Sequence, residues 1–161
     1  REGEDVAGLP HAWDTLRLHA RKDTLPEDDG IPLTPVTPEN DPVFQRLYNR
    51  CFAAVPGAAT MDRQQLLSLY REGQRAFLAM DGADTPWGIG LLRENELRAI
   101  GVAPAFRGRG LSRRLALSLL RLCPGETVEL TVVSTNAPAL ALYDSLGFRV
   151  FEKEAAWFSL K

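Results

Sequence analysis

The sequence predicts one mixed α/β domain, and three observations predict it. Segments with period-two and period-3.6 apolar spacing follow one another as strands, two helices, three strands, then helix–strand–helix–strands. Breakers such as Pro56-Gly57, Asp81-Gly82 and Pro124-Gly125 separate them. The 161 residues, 45% apolar and 25% charged, match an ordinary globular domain that buries about two-thirds of its unfolded surface.

Each element has its own local cause. Residues 1–14 look irregular, and Thr15–Ala20 alternates apolar and polar as a short strand. A charged turn covers 21–30, and prolines 32, 35 and 38 make Ile31–Thr37 an edge strand. Asp41-Pro42 reads as N-cap and first helical residue of a helix to about Ala54, with Phe44, Leu47, Tyr48 and Cys51 on one face. A second helix spans about Asp62–Glu72 and stops at Gly73. Strands are expected over Arg75–Met80, Trp87–Leu92 and Glu96–Val102, the last two joined as an antiparallel hairpin. Leu111–Leu122 is a long helix with a leucine stripe, Thr127–Val133 a buried β-branched strand, and Ala137–Leu146 a helix closed by Gly147. Phe148–Lys153 and Ala156–Leu160 read as a terminal strand pair. There is no internal repeat and no low-complexity tract.

Charge and composition exclude several classes. A net charge of −2 argues against a general nucleic-acid binder, whose footprint is strongly basic. No apolar run approaches the roughly 18–20 residues of a membrane span. Arg1–Asp5 is acidic with no apolar h-region behind it, and a start at Arg rather than Met fits a piece of a longer protein. Cys51 and Cys123 are too few and too far apart for a disulfide framework or a zinc site, so no metal and a reducing cytoplasm are the expectation. His11 and His19 have no ligand-spaced partner, and both cysteines read as small buried apolar residues.

The chemistry concentrates between a strand and a helix, at VAPAFRGRGLS (102–112). Two glycines there let the backbone turn tightly and present successive N–H groups at the positive end of a helix dipole, a geometry that cradles phosphate. Arg107, Arg109, Arg113 and Arg114 add cations around the same mouth of a net acidic chain. The bland alternative is a solvated helix start whose glycines only turn the chain. A dinucleotide fold would need G-x-G-x-x-G, but Arg113 occupies the third glycine position and the preceding hairpin is wrong for a parallel βαβ unit. A Walker loop fails because no Gly-Lys-Ser/Thr follows.

Glu96–Leu120 (ELRAIGVAPAFRGRGLSRRLALSLL) resembles motif A of the GNAT superfamily of N-acetyltransferases, with the Gln/Arg-x-x-Gly-x-Gly/Ala signature as Arg107-x-x-Gly110-x-Ser112. Ser112 departs from the final Gly/Ala, but is nearly as small. Thr131–Phe148 (TVVSTNAPALALYDSLGF) independently resembles motif B: strand, Asn, a helix bearing Leu-Tyr, then Leu-Gly-Phe. The resemblance covers about Ile31–Leu160. It implies a GNAT-like mixed, mostly antiparallel sheet of six or seven strands, splayed between the fourth and fifth core strands and flanked by four helices. Residues 31–161 would be the acetyltransferase domain, and residues 1–30 an N-terminal extension that adds at most an extra strand.

The same resemblance implies that backbone N–H groups of Arg107, Gly108, Arg109, Gly110, Leu111 and Ser112 bind the pyrophosphate of acetyl-coenzyme A, with Arg113 and Arg114 near its phosphates. The pantetheine arm would lie beside Ile100 and Val102 as an added strand, the Val102 N–H donating to the thioester oxygen. Tyr143 matches the tyrosine that protonates the departing thiolate; its other reading is a helix tyrosine packed on the sheet. Asn136 either bonds the pantetheine arm or caps its helix. Glu96 matches the general base of histone-type members, with Arg98, Ile100 and Val102 expected on its face by period two; its other reading is a strand glutamate paired with Arg98. Glu94, in the hairpin turn, is the less secure alternative. Many relatives use an ordered water instead.

The implied reaction moves an acetyl group from acetyl-coenzyme A to a primary amine of a small molecule, amino acid or peptide, by direct attack in a ternary complex. Acceptor choice would lie in Phe52–Tyr70 and Glu154–Phe158, with Tyr48, Phe52 and Trp157 as wall residues. The connection CFAAVPGAATMD lacks the acidic run a polycation would need. Expected partners are the amine and, at most, a second copy in a homodimer, with neither nucleic acid nor membrane. The alternative is a non-catalytic acyl-coenzyme A sensor or a partner domain of a larger protein.

Overall fold

A computed structural model describes residues 11–27, 30–55, 60–82 and 84–158, with side chains for 14–27, 30–55, 60–82 and 84–153. The chain divides into two compact units, residues 27–125 and residues 1–26 with 126–161.

The larger unit holds β1 (Leu33–Pro35), α1 (Asp41–Cys51), α2 (Arg63–Arg71), β2 (Gln74–Asp81), β3 (Thr85–Arg93), β4 (Glu96–Val102) and α3 (Leu111–Leu120). Its four strands pair in chain order, all antiparallel. The three-residue β1, its prolines at the edge, pairs only with β2 among the described residues. Of the expected stripe, α1 buries Phe44, Leu47 and Cys51, and Tyr48 packs half-buried against the same cluster. Its N-cap, however, is Asn40 rather than Asp41, and the Asn40 Oδ1 accepts the Thr37 N–H at 2.7 Å. Asp41 is 4% exposed, with the Gln45 amide at 3.3 Å and Arg63 Nη2 at 3.8 Å. Sequence spacing marks the helix start to within a residue, but which polar side chain turns inward depends on what packs there. At α2, Asp62 is the N-cap and accepts the Gln65 N–H at 2.7 Å.

β3 is covered on both faces. Ile89 and Leu91 join the cluster of Phe44, Leu47, Cys51, Met61, Leu66 and Leu78 beneath α1 and α2. The other face carries Gly88 and Gly90, where a Cβ would lie 2.9 Å from Leu115 and 2.4 Å from Leu119 of α3. Side-chain-free strand positions therefore let α3 sit close to the sheet. The helix ends at Leu120, so Leu122 falls outside the leucine stripe and is exposed.

The smaller unit contains a strand over His11–Arg21, here βN, followed by β5 (Thr127–Val133), α4 (Ala137–Ser145) and β6 (Arg149–Phe158). βN is its middle strand, antiparallel to β5 on one side and β6 on the other. Its length exceeds the six residues that local alternation marks, because pairing on both edges extends it. β6 runs unbroken where a terminal strand pair is expected: βN supplies the antiparallel partner, and register shifts absorb extra residues at Phe151 and Glu154. β5 alternates buried Val128, Leu130 and Val132 with exposed Thr127, Thr131 and Val133, so one face alone is covered, contrary to the fully buried strand expected. Among the described residues, no helix is long and apolar enough to cross a membrane.

Candidate acetyl-donor and acetyl-transfer site

β4 ends the sheet of the larger unit, and its register decides which groups are available. The Ala103 N–H donates to the Trp87 carbonyl at 2.7 Å, making 103 and 87 a hydrogen-bonded pair. Antiparallel alternation then makes 101 and 89 the next such pair. The N–H and C=O groups of Ile100 and Val102 consequently turn away from β3.

Pairing passes from Leu91↔Ala99 to Leu92↔Leu97, which leaves Arg98 as an extra residue, a β-bulge. The bulge corrects the period-two expectation for Glu96. Residues opposite one another share a face. Ile100 and Val102 lie with Gly90 and Gly88 on the α3 side, whereas Glu96 pairs with Arg93 and falls with Ala99 and Gly101 on the α1 side. Glu96 is half-buried and paired to Arg98, Oε2 to Nη1 at 3.1 Å. Glu94 sits exposed at the hairpin tip with φ 53°, a left-handed conformation unusual for glutamate.

After a short 3₁₀ turn at 104–106, Gly108 and Gly110 adopt φ 80° and 72°, with open space where either Cβ would stand. These left-handed residues carry the chain straight into α3. Gly110 is the N-cap, so no side chain caps the helix, and its first turn holds no acidic residue. Donors of the first turn thus have no internal capping side chain to satisfy them, and the dipole adds positive potential. That fits an anion, and the backbone over 108–112 fits the pyrophosphate cradle. Arg109 stacks on Phe106, its Cζ 4.9 Å from the ring centroid, and Phe106 stacks in turn on Trp87. Arg113 and Arg114 lie half-buried in the first turn of α3. Arg107 is engaged with two backbone carbonyls, a role that nothing in its sequence position reveals.

In the smaller unit, α4 carries Asn136 and Tyr143. Asn136 caps the helix, its Oδ1 accepting the Ala139 N–H at 3.2 Å, which leaves Nδ2 as its remaining donor group. Ser134 and Asp14 exchange hydrogen bonds at 2.8 and 2.7 Å and fix the turn before the cap. At the other end, the Phe148 N–H donates to the Tyr143 carbonyl and the Gly147 N–H to the Asp144 carbonyl, both at 3.0 Å. With Gly147 at φ 99° this is a Schellman motif, and the Phe148 ring closes it edge-on against Tyr143 at 5.6 Å. Tyr143 is 5% exposed, and burial pushes its phenol up to about 12.

Of the acceptor segment, Tyr48 and Phe52 stack tilted at 4.7 Å. Asn49, which sequence reasoning passed over, clamps the connection: its Oδ1 accepts the Met61 N–H at 2.6 Å and its Nδ2 donates to the Met61 carbonyl at 2.9 Å. An asparagine late in an amphipathic helix was the available signal. Residues 56–59 and the side chains of Trp157 and His11 lie outside the described residues. His19 is exposed and stacks on Phe151. Both cysteines are buried and outside any disulfide, and burial pushes Cys51 up despite the opposing charges of Arg107 and Arg50. No group of three or more His, Cys, Asp or Glu residues able to hold a metal occurs among the described residues.

The chain is similar to known proteins in sequence and fold. N-alpha-acetyltransferase RimI of Mycobacterium tuberculosis is 50% identical over 56 residues, 35% of either chain. A mycothiol acetyltransferase of Beutenbergia cavernae is 31% identical over 163 residues, covering 91% of this chain and 53% of its own. This chain thus spans about a third of the first relative and about half of the second. The structure of yncA from Salmonella typhimurium, solved with its cofactor acetyl-CoA, superposes with a TM-score of 0.57 over 74% of this chain and 79% of its own. At 20% identity that likeness is one of fold. The model of the acetyltransferase (GNAT) family matches residues 42–148, from the first turn of α1 through the β4–α3 glycine turn to the Phe148 that closes α4, and the chain belongs to that family.

Proposed function

We propose that this chain transfers an acetyl group from acetyl-coenzyme A to a primary amine of a small molecule, amino acid or peptide, by direct attack with both substrates held together. The observation that carries the reading is the uncapped N-terminus of α3 behind two left-handed glycines, inside the family match. When bound, acetyl-coenzyme A supplies the acetyl group as an activated thioester. The N–H groups over 108–112 hold its pyrophosphate, with Arg113 beside them. Ile100 offers its outward backbone groups to the amides of the pantetheine arm, and the Val102 N–H donates to the thioester oxygen, where it counts most as negative charge develops. Asn136 has Nδ2 left to donate to the same arm.

Tyr143 gives its phenolic proton to the departing thiolate. A phenol held at about 12 stays protonated at any working pH, so the acid is always loaded. Glu96, on the α1 side of β4 with the proposed acceptor wall, takes the amine proton through water. The acceptor lies against the Tyr48 and Phe52 rings. The name of one relative, an N-alpha-acetyltransferase, supports an amine acceptor. We place the protein in a reducing cytoplasm, where its two buried cysteines stay outside any disulfide.

The test is release of free thiol from acetyl-coenzyme A with a panel of amino acids, peptide N-termini and small amines. Acetylated product with at least one amine supports the reading. Binding of acetyl-coenzyme A without turnover of any amine replaces it with a non-catalytic acyl-coenzyme A module.

A further inference from the structure

Arg107 opens the phosphate-turn signature, and an arginine there invites assignment as a phosphate ligand. Its side chain does something else. Nε donates to the Val102 carbonyl and Nη2 to the Cys51 carbonyl, each at 3.0 Å. Val102 is the last residue of β4, and its carbonyl faces away from β3. Cys51 is the last residue of α1, and its carbonyl is one of the four that a helix leaves without an internal partner. A guanidinium there answers an orphan acceptor and places positive charge at the negative end of the helix. The two elements approach closely at this point, since a Cβ on Gly101 would stand 2.9 Å from the Cys51 Cβ. Glycine at 101 permits the approach, and the Arg107 fork fastens it.

We propose that the Arg107 side chain is a positioning residue that ties the donor strand to the acceptor helix, rather than a ligand of the cofactor phosphates. Restraining the Val102 carbonyl restrains the φ and ψ of Val102, and so the direction of the N–H on the same residue. The second arm holds the end of α1 that carries Tyr48 and Phe52. Arg107 therefore couples the group that polarises the thioester to the wall that receives the amine, while the backbone over 108–112 does the anion binding. The planar fork meets two carbonyls at once, which a lysine ammonium on a flexible stem does not reproduce. The kinetic consequence rests on the proposed transferase reading, whereas the structural consequence does not.

Arg107→Lys separates the alternatives because it keeps the charge and loses the fork. With acetyl-coenzyme A and with S-acetylpantetheine, which lacks every phosphate, the expected loss of kcat is the same, about tenfold or more. The KM for the amine should rise, and the calorimetric Kd for coenzyme A should stay within about threefold, as expected if no phosphate contact is lost. A Kd raised about tenfold or more with S-acetylpantetheine turnover unchanged would overturn the proposal in favour of a phosphate ligand. Amide hydrogen exchange on the ligand-free protein decides the structural half without any turnover. Arg107→Lys should speed exchange at Ala103 and Tyr48–Phe52 while the β2–β3 ladder keeps its protection. Unchanged exchange at those two places, or a rise of equal size across β2 and β3, overturns the brace. If the parent protein turns over no amine with either donor, the transferase reading fails, and the exchange result still decides the role of Arg107.

Discussion

The Phe148 N–H donates to the Tyr143 carbonyl at 3.0 Å, and the two rings meet edge-on with centroids 5.6 Å apart. One residue thus ends the helix and also fixes the side chain assigned to proton delivery. The Leu-Gly-Phe that follows the tyrosine has a physical reason. Leu146 packs inside, Gly147 takes the left-handed turn that a side chain would strain, and Phe148 seals the end.

Tyr143→Phe keeps the ring, its packing and the Schellman closure, and removes only the hydroxyl. Turnover should fall by roughly 10²–10⁴-fold, the usual yield of a positioned general acid. The Kd for coenzyme A, measured by calorimetry, should not move. Equal turnover of both proteins with chemistry rate-limiting would leave Tyr143 a packing residue.

The same phenol sets an alkaline limit to stability. Its folded-state value of about 12 lies above the ordinary 10, so the folded state holds the proton more tightly than the unfolded chain. Its contribution is fully present below pH 10 and is lost as pH rises through about 12, to a total of about 3 kcal/mol. Urea midpoints between pH 9 and 12 should decline less steeply for Tyr143→Phe than for the parent.

Gly110→Val places a β-branched residue at φ 72°, where L side chains are strained whatever the space around them. Coenzyme A binding should be lost with a smaller loss of fold. In the parent, acetyl-coenzyme A at about a hundredfold excess over Kd should add about 2.7 kcal/mol of stability, read as a rise in Tm that NAD does not give. A normal calorimetric titration of the variant would move the phosphate site elsewhere.

Glu96→Gln removes a carboxylate that already has Arg98 beside it at 3.1 Å. Acting through water, it should contribute at the low end of general-base effects, about tenfold to a hundredfold in kcat/KM. Steady-state kinetics with a primary amine check this. If kcat/KM is unchanged in the variant, Glu96 is only the ion-pair partner of Arg98.

Gly90→Ala should destabilise the fold by about 1–3 kcal/mol, as overpacking usually does. The new Cβ would stand 2.4 Å from the Leu119 side chain. Chemical denaturation measures the change.

By itself the sequence determined the elements and turns that short stretches of chain encode. The helix of Asp41–Cys51 was legible because Phe44, Leu47 and Cys51 fall on one stripe. The left-handed turn before α3 was legible because two glycines before a helix start prescribe a backbone conformation, and that conformation is present at Gly108 and Gly110. Asn136, Tyr143 and Gly147 were legible for the same local reason, each being set by its own helix. What only the tertiary structure decided are relations among residues distant in the chain. The bulge at Arg98 turns Glu96 to the other face of its strand, and period two carries no warning of a bulge. β6 runs unbroken because the strand at 11–21 pairs along it, a partner more than a hundred residues away. Asp41 gave up the cap to Asn40 because its side chain is buried where Gln45 and Arg63 can meet it. Arg107 reaches back to Cys51 across 56 positions. Local propensity and periodicity act over a few residues, whereas a hydrogen bond between remote segments exists only once the core has brought them together.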